Sequence, residues 1–180
     1  TVTSSVTISK NVTLNLNNHK ISSSDCAAVI VNDEVTTTVQ NGTLSSTGKL
    51  TVANNGGNLT LKNCTVTTTN SDRAIQNDSE GTTNDAVLVL DNCTVTSSGG
   101  GIYDFGAGGT VILHNNTSID CIVDGFAVYH NGSYAGFTLN ARNSSIVSRD
   151  NEYCAVYVSA STTSTSQDGQ NTISFTGCTV

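Results

Sequence analysis

The chain has no proline, methionine or tryptophan, and only 5% of its 180 residues are aromatic. Its apolar content is mostly Val, Ile, Leu and Ala, so a wide core filled by large side chains is excluded and a narrow one is expected. Lys and Arg number seven against fourteen Asp and Glu, which gives a net charge of −7. Too little basic surface remains to neutralise phosphates, so neither nucleic-acid binding nor attraction to anionic membranes is expected. No apolar run approaches the ~20 residues of a membrane span, and no charged-then-apolar leader is present. Beginning at Thr1, the chain reads as a processed secreted protein or a piece of a longer one. No segment holds an apolar period of 3.6 over ten residues, so no helix is predicted.

Thr, Ser, Asn and Gly take the place of charge. Low complexity of this kind can accompany disorder, but here Val and Thr alternate through the chain, which favours strands. The stretch Leu61-Lys62-Asn63-Cys64-Thr65-Val66 returns at Leu90-Asp91-Asn92-Cys93-Thr94-Val95. Looser copies centre on Leu16, Val39, Leu113, Leu139 and Phe175. These seven anchors lie 23, 22, 29, 23, 26 and 36 residues apart. In five copies an apolar residue follows the anchor by five; after Leu113 and Leu139 the next ones, Ile119 and Ile146, come late.

Each copy reads as three short strands. The third lies at Ala28–Asn32, Leu50–Val52, Ala74–Ile75, Gly101–Tyr103, Ala127–Tyr129 and Ala155–Val158. Units of 22 to 36 residues are too short for propeller blades and lack the helices of βαβ units. The repeat therefore predicts one all-β domain over 1–180, a parallel β-helix of about seven coils with three short strands each. In such a solenoid each strand pairs with its equivalent one coil on, ~4.8 Å away.

Two places after the anchors come Asn18, Asn41, Asn63, Asn92 and Asn115, then Ala141 and Gly177. Asn tolerates the left-handed backbone of a sharp bend, and its amide can both donate and accept. Stacked in successive coils, the five would form a line of side-chain hydrogen bonds. With its repeated Asn turn and following inward Cys, the chain resembles the right-handed parallel β-helix of the pectate-lyase-like superfamily. The opening Val12-Thr13-Leu14-Asn15-Leu16-Asn17-Asn18-His19-Lys20-Ile21 is similar to the first coils of bacterial surface and adhesin-type modules of this fold. The resemblance speaks for fold rather than activity.

Cys64, Cys93 and Cys178 share the slot after the Asn and read as small buried side chains. Cys178 is three coils, ~14 Å, beyond Cys93, further than the ~7 Å limit for a bridge. Cys64 with Cys93, and Cys121 with Cys154, fall in adjacent coils where a bridge is open to them; free thiols are the preferred reading. No Cys-x-x-Cys or His-rich pairing suggests a metal, and no cofactor is expected. Of the Asn-x-Ser/Thr sequons, only Asn77 and Asn131 read as loop acceptors, and then only for a eukaryotic source.

Enzymes of the resembled superfamily act on acidic polysaccharides with Asp or Glu on neighbouring coils holding Ca²⁺ and an Arg or Lys as base, or with several Asp. Asp91, Asp120 and Asp124 are the acidic candidates here, yet the Asn-Thr-Asp, Asp-Asp, Gly-His-Gly and Arg-Ile-Lys strings are missing. His19, His114 and His130 fall in different coils, without a nucleophile-base arrangement. Tyr103, Tyr129 and Tyr157 each follow the inward residue of a third strand in consecutive coils, so alternation points them outward, side by side. Such a column can seat sugar rings or simply stiffen the sheet. Asp104, His130 and Asn131 lie just beyond as candidate partners for hydroxyls. Outward Thr65, Thr67, Thr94 and Thr96 raise a lesser possibility, an ice-ordering face.

These observations predict a non-catalytic extracellular module, secreted or on a bacterial surface, that binds polysaccharide or host glycan or serves adhesion as a stalk. The alternatives are a polysaccharide lyase or glycosidase, and a structural subunit stacking end to end into a fibre.

Overall fold

A computed structural model describes residues 1–77, 86–105, 108–130, 136–159 and 171–180. The backbone winds into an all-β parallel solenoid of about six turns, the right-handed parallel β-helix expected from the repeat. Three faces run along it. The first carries Val12–Asn15, Val87–Asp91, Thr110–His114, Thr138–Arg142 and Thr172–Thr176; the second carries Lys20–Ser23, Thr94–Ser97, Ser118–Cys121 and Ser145–Ser148. In two coils the strand continues round the corner, so Thr36–Ser46 and Asn58–Thr68 serve both faces. The third face is a seven-stranded sheet of Val6–Ile8, Val29–Val31, Val52–Asn54, Ile75–Asn77, Ile102–Asp104, Val128–His130 and Val156–Val158.

Every named pairing is parallel and in register, so equivalent residues stack into columns. Leu14, Val39, Leu61, Leu90, Leu113, Ala141 and Phe175 form one inward column, and Ile21, Leu44, Val66, Val95, Ile119 and Ile146 another. The β-branched and Leu side chains fill a core one side chain deep from each face, as the shortage of aromatics requires.

The register corrects two anchors. Leu14, rather than Leu16, pairs with Val39. The corner after Asn15 holds two extra residues, and buried Leu16 fills the space beside Gly42, where a Cβ would meet the Leu16 Cβ at 2.5 Å. In the sixth copy the anchor is Ala141, paired with Leu113, and Ile146 then follows it by the usual five. Asn143, with φ of 48°, thus takes the bend slot in place of Ala141, and Gly177 follows at 63°.

Asn41, Asn63, Asn92 and Asn115 all have φ between 51° and 58°. Asn92 donates to Asn63 Oδ1 at 2.8 Å, Asn63 to Asn41 Oδ1 at 3.1 Å, and Asn41 to Asn15 Oδ1 at 3.3 Å. The ladder therefore begins at Asn15, and Asn18, although also left-handed, contributes its backbone N–H to the Asn41 carbonyl instead. Asn115 leaves the line too, donating to Asp91 Oδ1 at 2.8 Å.

The residue after each bend is a hydrogen-bond donor as well as a small filler. Cys64, Cys93, Thr117, Ser144 and Cys178 each point a thiol or hydroxyl at a carbonyl two or three residues back. A bend that turns a carbonyl inward leaves an acceptor to be satisfied, and a short donor does so without widening the coil.

Candidate functional site

On the third face, residues alternate strictly between core and outside, and the outward column in the last coils is Gln76, Tyr103, Tyr129 and Tyr157. The Tyr103 and Tyr129 ring centroids are 4.9 Å apart at 41°. Tyr129 and Tyr157 are stacked at 5.7 Å and 5°. Three residues outside the strand centres extend the group: Phe126 lies 5.3 Å from Tyr129 and 4.9 Å from Tyr157, Tyr153 meets Phe126 edge-on at 4.8 Å, and Phe105 lies 6.1 Å from both Tyr103 and Tyr129. Six of the chain's nine aromatic residues thus share one outward patch. Phe126 and Tyr153 sit in the corners preceding the strands, outside the alternating pattern. Placing Phe126 three before Tyr129, in line with Gly100 three before Tyr103, was the available signal.

Gly100 is what lets the patch lie flat. A Cβ at that position would come within 2.2 Å of Tyr103 Cε1, so the ring rests on bare backbone. Burial pushes the Tyr103 hydroxyl's pKa up. The Arg73 guanidinium caps one end, 5.0 Å over the Phe105 ring. Gln76 Oε1 accepts from Arg73 Nε at 3.1 Å, and Asp72 Oδ1 lies 3.3 Å from Nη1, so the cation is held in place over the ring. Because the rings stack on one another, the middle of the patch offers edges and hydroxyls; Tyr157, 42% exposed, is the most open ring.

Asp104 and His130 are not beside the rings. Each follows its outward Tyr by one residue, and each is fully buried (0% exposed). The expectation that they reach ligand hydroxyls is thereby corrected. They complete an interior polar line: Asn54 donates to Asn77 Oδ1 at 2.9 Å, Asn77 to Asp104 Oδ2 at 2.9 Å, and His130 Nδ1 meets Asp104 Oδ1 at 2.9 Å. Across the corner, small Gly57, Ala86 and Gly109 leave room for it; a Cβ on Gly109 would lie 2.0 Å from Asp104 Oδ2. In the next coil Phe137 fills that position and stacks on the His130 ring at 4.5 Å and 7°. Asn77, fully buried in this line, is no glycan acceptor. Asn131, both as a ligand partner and as a sequon, lies outside the described residues.

The acidic candidates are dispersed. Asp91, on the first face, has Lys62 Nζ at 3.5 Å and His114 Nδ1 at 3.5 Å, supplied by the coils on either side. The hydrogen bond from Asn115 holds the Asp91 carboxyl below the usual range, assisted by His114 and Lys62 and opposed by desolvation. Asp120, on the second face, forms a two-pronged pair with Arg149, both bonds 2.8 Å. Asp124 is exposed in the corner that follows. Among the described residues, no group of three His, Cys, Asp or Glu converges on a metal site. A depressed carboxylate pKa stabilises the fold above the unfolded value near 4 and ceases to do so as pH falls through the folded value. Thermal melts of wild type and Asp91→Asn are expected to differ by under about 1 kcal/mol at pH 7 and to converge as pH falls through the folded value.

All six cysteines are free. Cys121 faces inward between Ser97 and Ser148, whereas Cys154 is exposed and aligns with Phe126, so these two are not column neighbours. Thr65 and Thr67 lie beside Thr94 and Thr96, but the rows run on into Ser118, Ser145, Asp120 and Val147, and the Arg149 pair crosses them.

The fold and the patch together define a parallel β-solenoid with an aromatic outer face. Neither protein-family models, curated proteins nor solved structures give a match to the chain.

Proposed function

We propose that the chain is a non-catalytic, extracellular β-helix module of the pectate-lyase-like kind, and that its third face receives the saccharide of a polysaccharide or cell-surface glycan. The gathering of six outward aromatic rings carries this reading. Core packing does not require two thirds of a scarce residue type to lie on an outer face, and an outward patch of half-buried rings ending in the exposed Tyr157 favours a partner. Apolar ring edges suit the C–H surfaces of a sugar, while the phenol hydroxyls and the fixed Arg73 suit its hydroxyls. The strongest acidic candidates, Asp91 and Asp120, are each tied to their own cations on different faces, which supports binding over hydrolysis or elimination.

Glycan-array screening followed by calorimetry is expected to find a saccharide whose affinity falls about tenfold in Tyr129→Ala and in Tyr157→Ala, the loss of one aromatic contact each. Unchanged affinity in both variants would remove the patch from the reading. Release of unsaturated or reducing sugar from a polysaccharide panel, abolished by Asp91→Ala, would replace it with a catalytic one.

A further inference from the structure

The corner column that holds the bend donors contains two cysteines in direct succession. Lys62 pairs with Asp91 and Thr65 with Thr94, which sets Cys64 opposite Cys93 in adjacent coils, Cys64 within a continuous strand and Cys93 in the corner between two. Both side chains point into the core, 3% and 1% exposed. Each thiol reaches back to a carbonyl of the preceding coil, Cys64 to Val39 at 3.4 Å and Cys93 to Leu61 at 3.2 Å, so the two sulfurs occupy equivalent positions one coil apart. The residues just before them are already in contact, with Asn92 Nδ2 at 2.8 Å from Asn63 Oδ1. Strands at the usual ~4.8 Å separation fall within the Cα range of roughly 4.4–6.8 Å that a disulfide spans.

No other two of the six cysteines share this arrangement. Thr117 and Ser144 stand between Cys93 and Cys178, and Ser97 and Ser148 flank Cys121. Cys26 lies beyond a second-face strand and bonds Ser23 Oγ at 2.9 Å, while Cys154 precedes a third-face strand.

We propose that Cys64 and Cys93 are a redox site, a dithiol that a low-molecular-weight disulfide converts to a bridge between coils. The neighbouring Cys93 thiol holds Cys64 down to about 7, while Cys64 and burial together push Cys93 well up. Cys64, the less buried of the two as well as the more acidic, is the nucleophile and Cys93 the resolving thiol. Local opening of the thin corner admits the reagent. The Cys64 thiolate attacks one sulfur of R–S–S–R; the S–S bond breaks, and the departing R–S⁻ takes up the proton that Cys64 gave up. Cys93 then loses its proton and attacks Cys64 Sγ, and the second R–S⁻ leaves as R–SH. Two protein thiols are oxidised to one disulfide as one small disulfide is reduced to two thiols. The bridge ties two successive coils together at the same corner.

The test uses the whole chain and oxidised glutathione as the disulfide, at a temperature a few degrees below the melting transition. Alkylation after denaturation, read by mass, is expected to show two thiols lost, a cross-linked peptide joining Cys64 to Cys93, a higher Tm, and full reversal by dithiothreitol. Cys93→Ser keeps a donor to the carbonyl and is expected to fold and to retain all its remaining thiols or to stop at a glutathione adduct on Cys64. Wild type retaining every thiol, bridging between other cysteines, or a glutathione adduct at Cys64 that never resolves would overturn the proposal. So would loss of two thiols in Cys93→Ser.

Discussion

Asp104→Ala is expected to lower unfolding free energy by about 3–5 kcal/mol, the cost of removing one partner from a buried, hydrogen-bonded ionisable pair. The carboxylate is the junction of the interior polar line, accepting from Asn77 on one oxygen and facing His130 Nδ1 with the other. Without it the Asn77 amide and the His130 ring each lose one hydrogen bond in a fully buried site, and those losses carry most of the penalty. Asn77 still reaches the Ala86 carbonyl at 3.3 Å, so the coil below is expected to suffer less than the coil above. Asp104→Asn retains shape and one acceptor and is expected to cost about half as much. Urea denaturation gives both values, and equal, small losses of under 1 kcal/mol would show that the line is not a structural junction. The strands that carry Asp104 and His130 also carry Tyr103 and Tyr129. Damage to the line is therefore expected to weaken the proposed glycan binding together with stability.

The repeat made the fold legible because parallel stacking forces the same inward residue to recur, and the Val39, Leu61, Leu90 and Leu113 register was read correctly. It failed where hydrophobicity misreports position. Leu16 is apolar and buried but belongs to a corner, and the two extra residues there brought it five before Ile21 by coincidence. Leu139 outweighed Ala141 as an anchor because Ala is a weak apolar signal; Asn143 and the spacing to Ile146 carried the true register. The Tyr column followed from alternation alone. The same alternation places Asp104 and His130 inside, but polar residues read as outward unless a partner is known. The partner of Asp104, Asn77, is one coil away and the Asn54 that bonds Asn77 is two, and they meet only when the register is exact to the residue.

Asn63→Ala and Asn63→Gly are expected to separate the two roles of the bend residue. Asn63 holds φ at 51°, donates to Asn41 and accepts from Asn92. Alanine loses both side-chain bonds, worth roughly 0.5–1 kcal/mol each at an exposed corner, and is forced into the left-handed region at a cost of about 1–2 kcal/mol. Its total is about 2–4 kcal/mol. Glycine loses the same bonds but bends freely, adding only the entropy of a more flexible unfolded chain, so about 1.5–3 kcal/mol is expected. Alanine should therefore be the worse of the two, the reverse of their order in a helix or strand interior. Gly177 supports that order, since the chain itself uses glycine in this column at φ of 63°. If denaturation found alanine equal to or milder than glycine, the left-handed bend would not be what selects this position, and the recurrence of Asn would have to rest on the amide ladder alone. That ladder lapses at Asn115, which turns to Asp91 while keeping φ at 56°. The bend persists there without the stacking bond, which makes backbone conformation the stronger constraint and the ladder an addition to it.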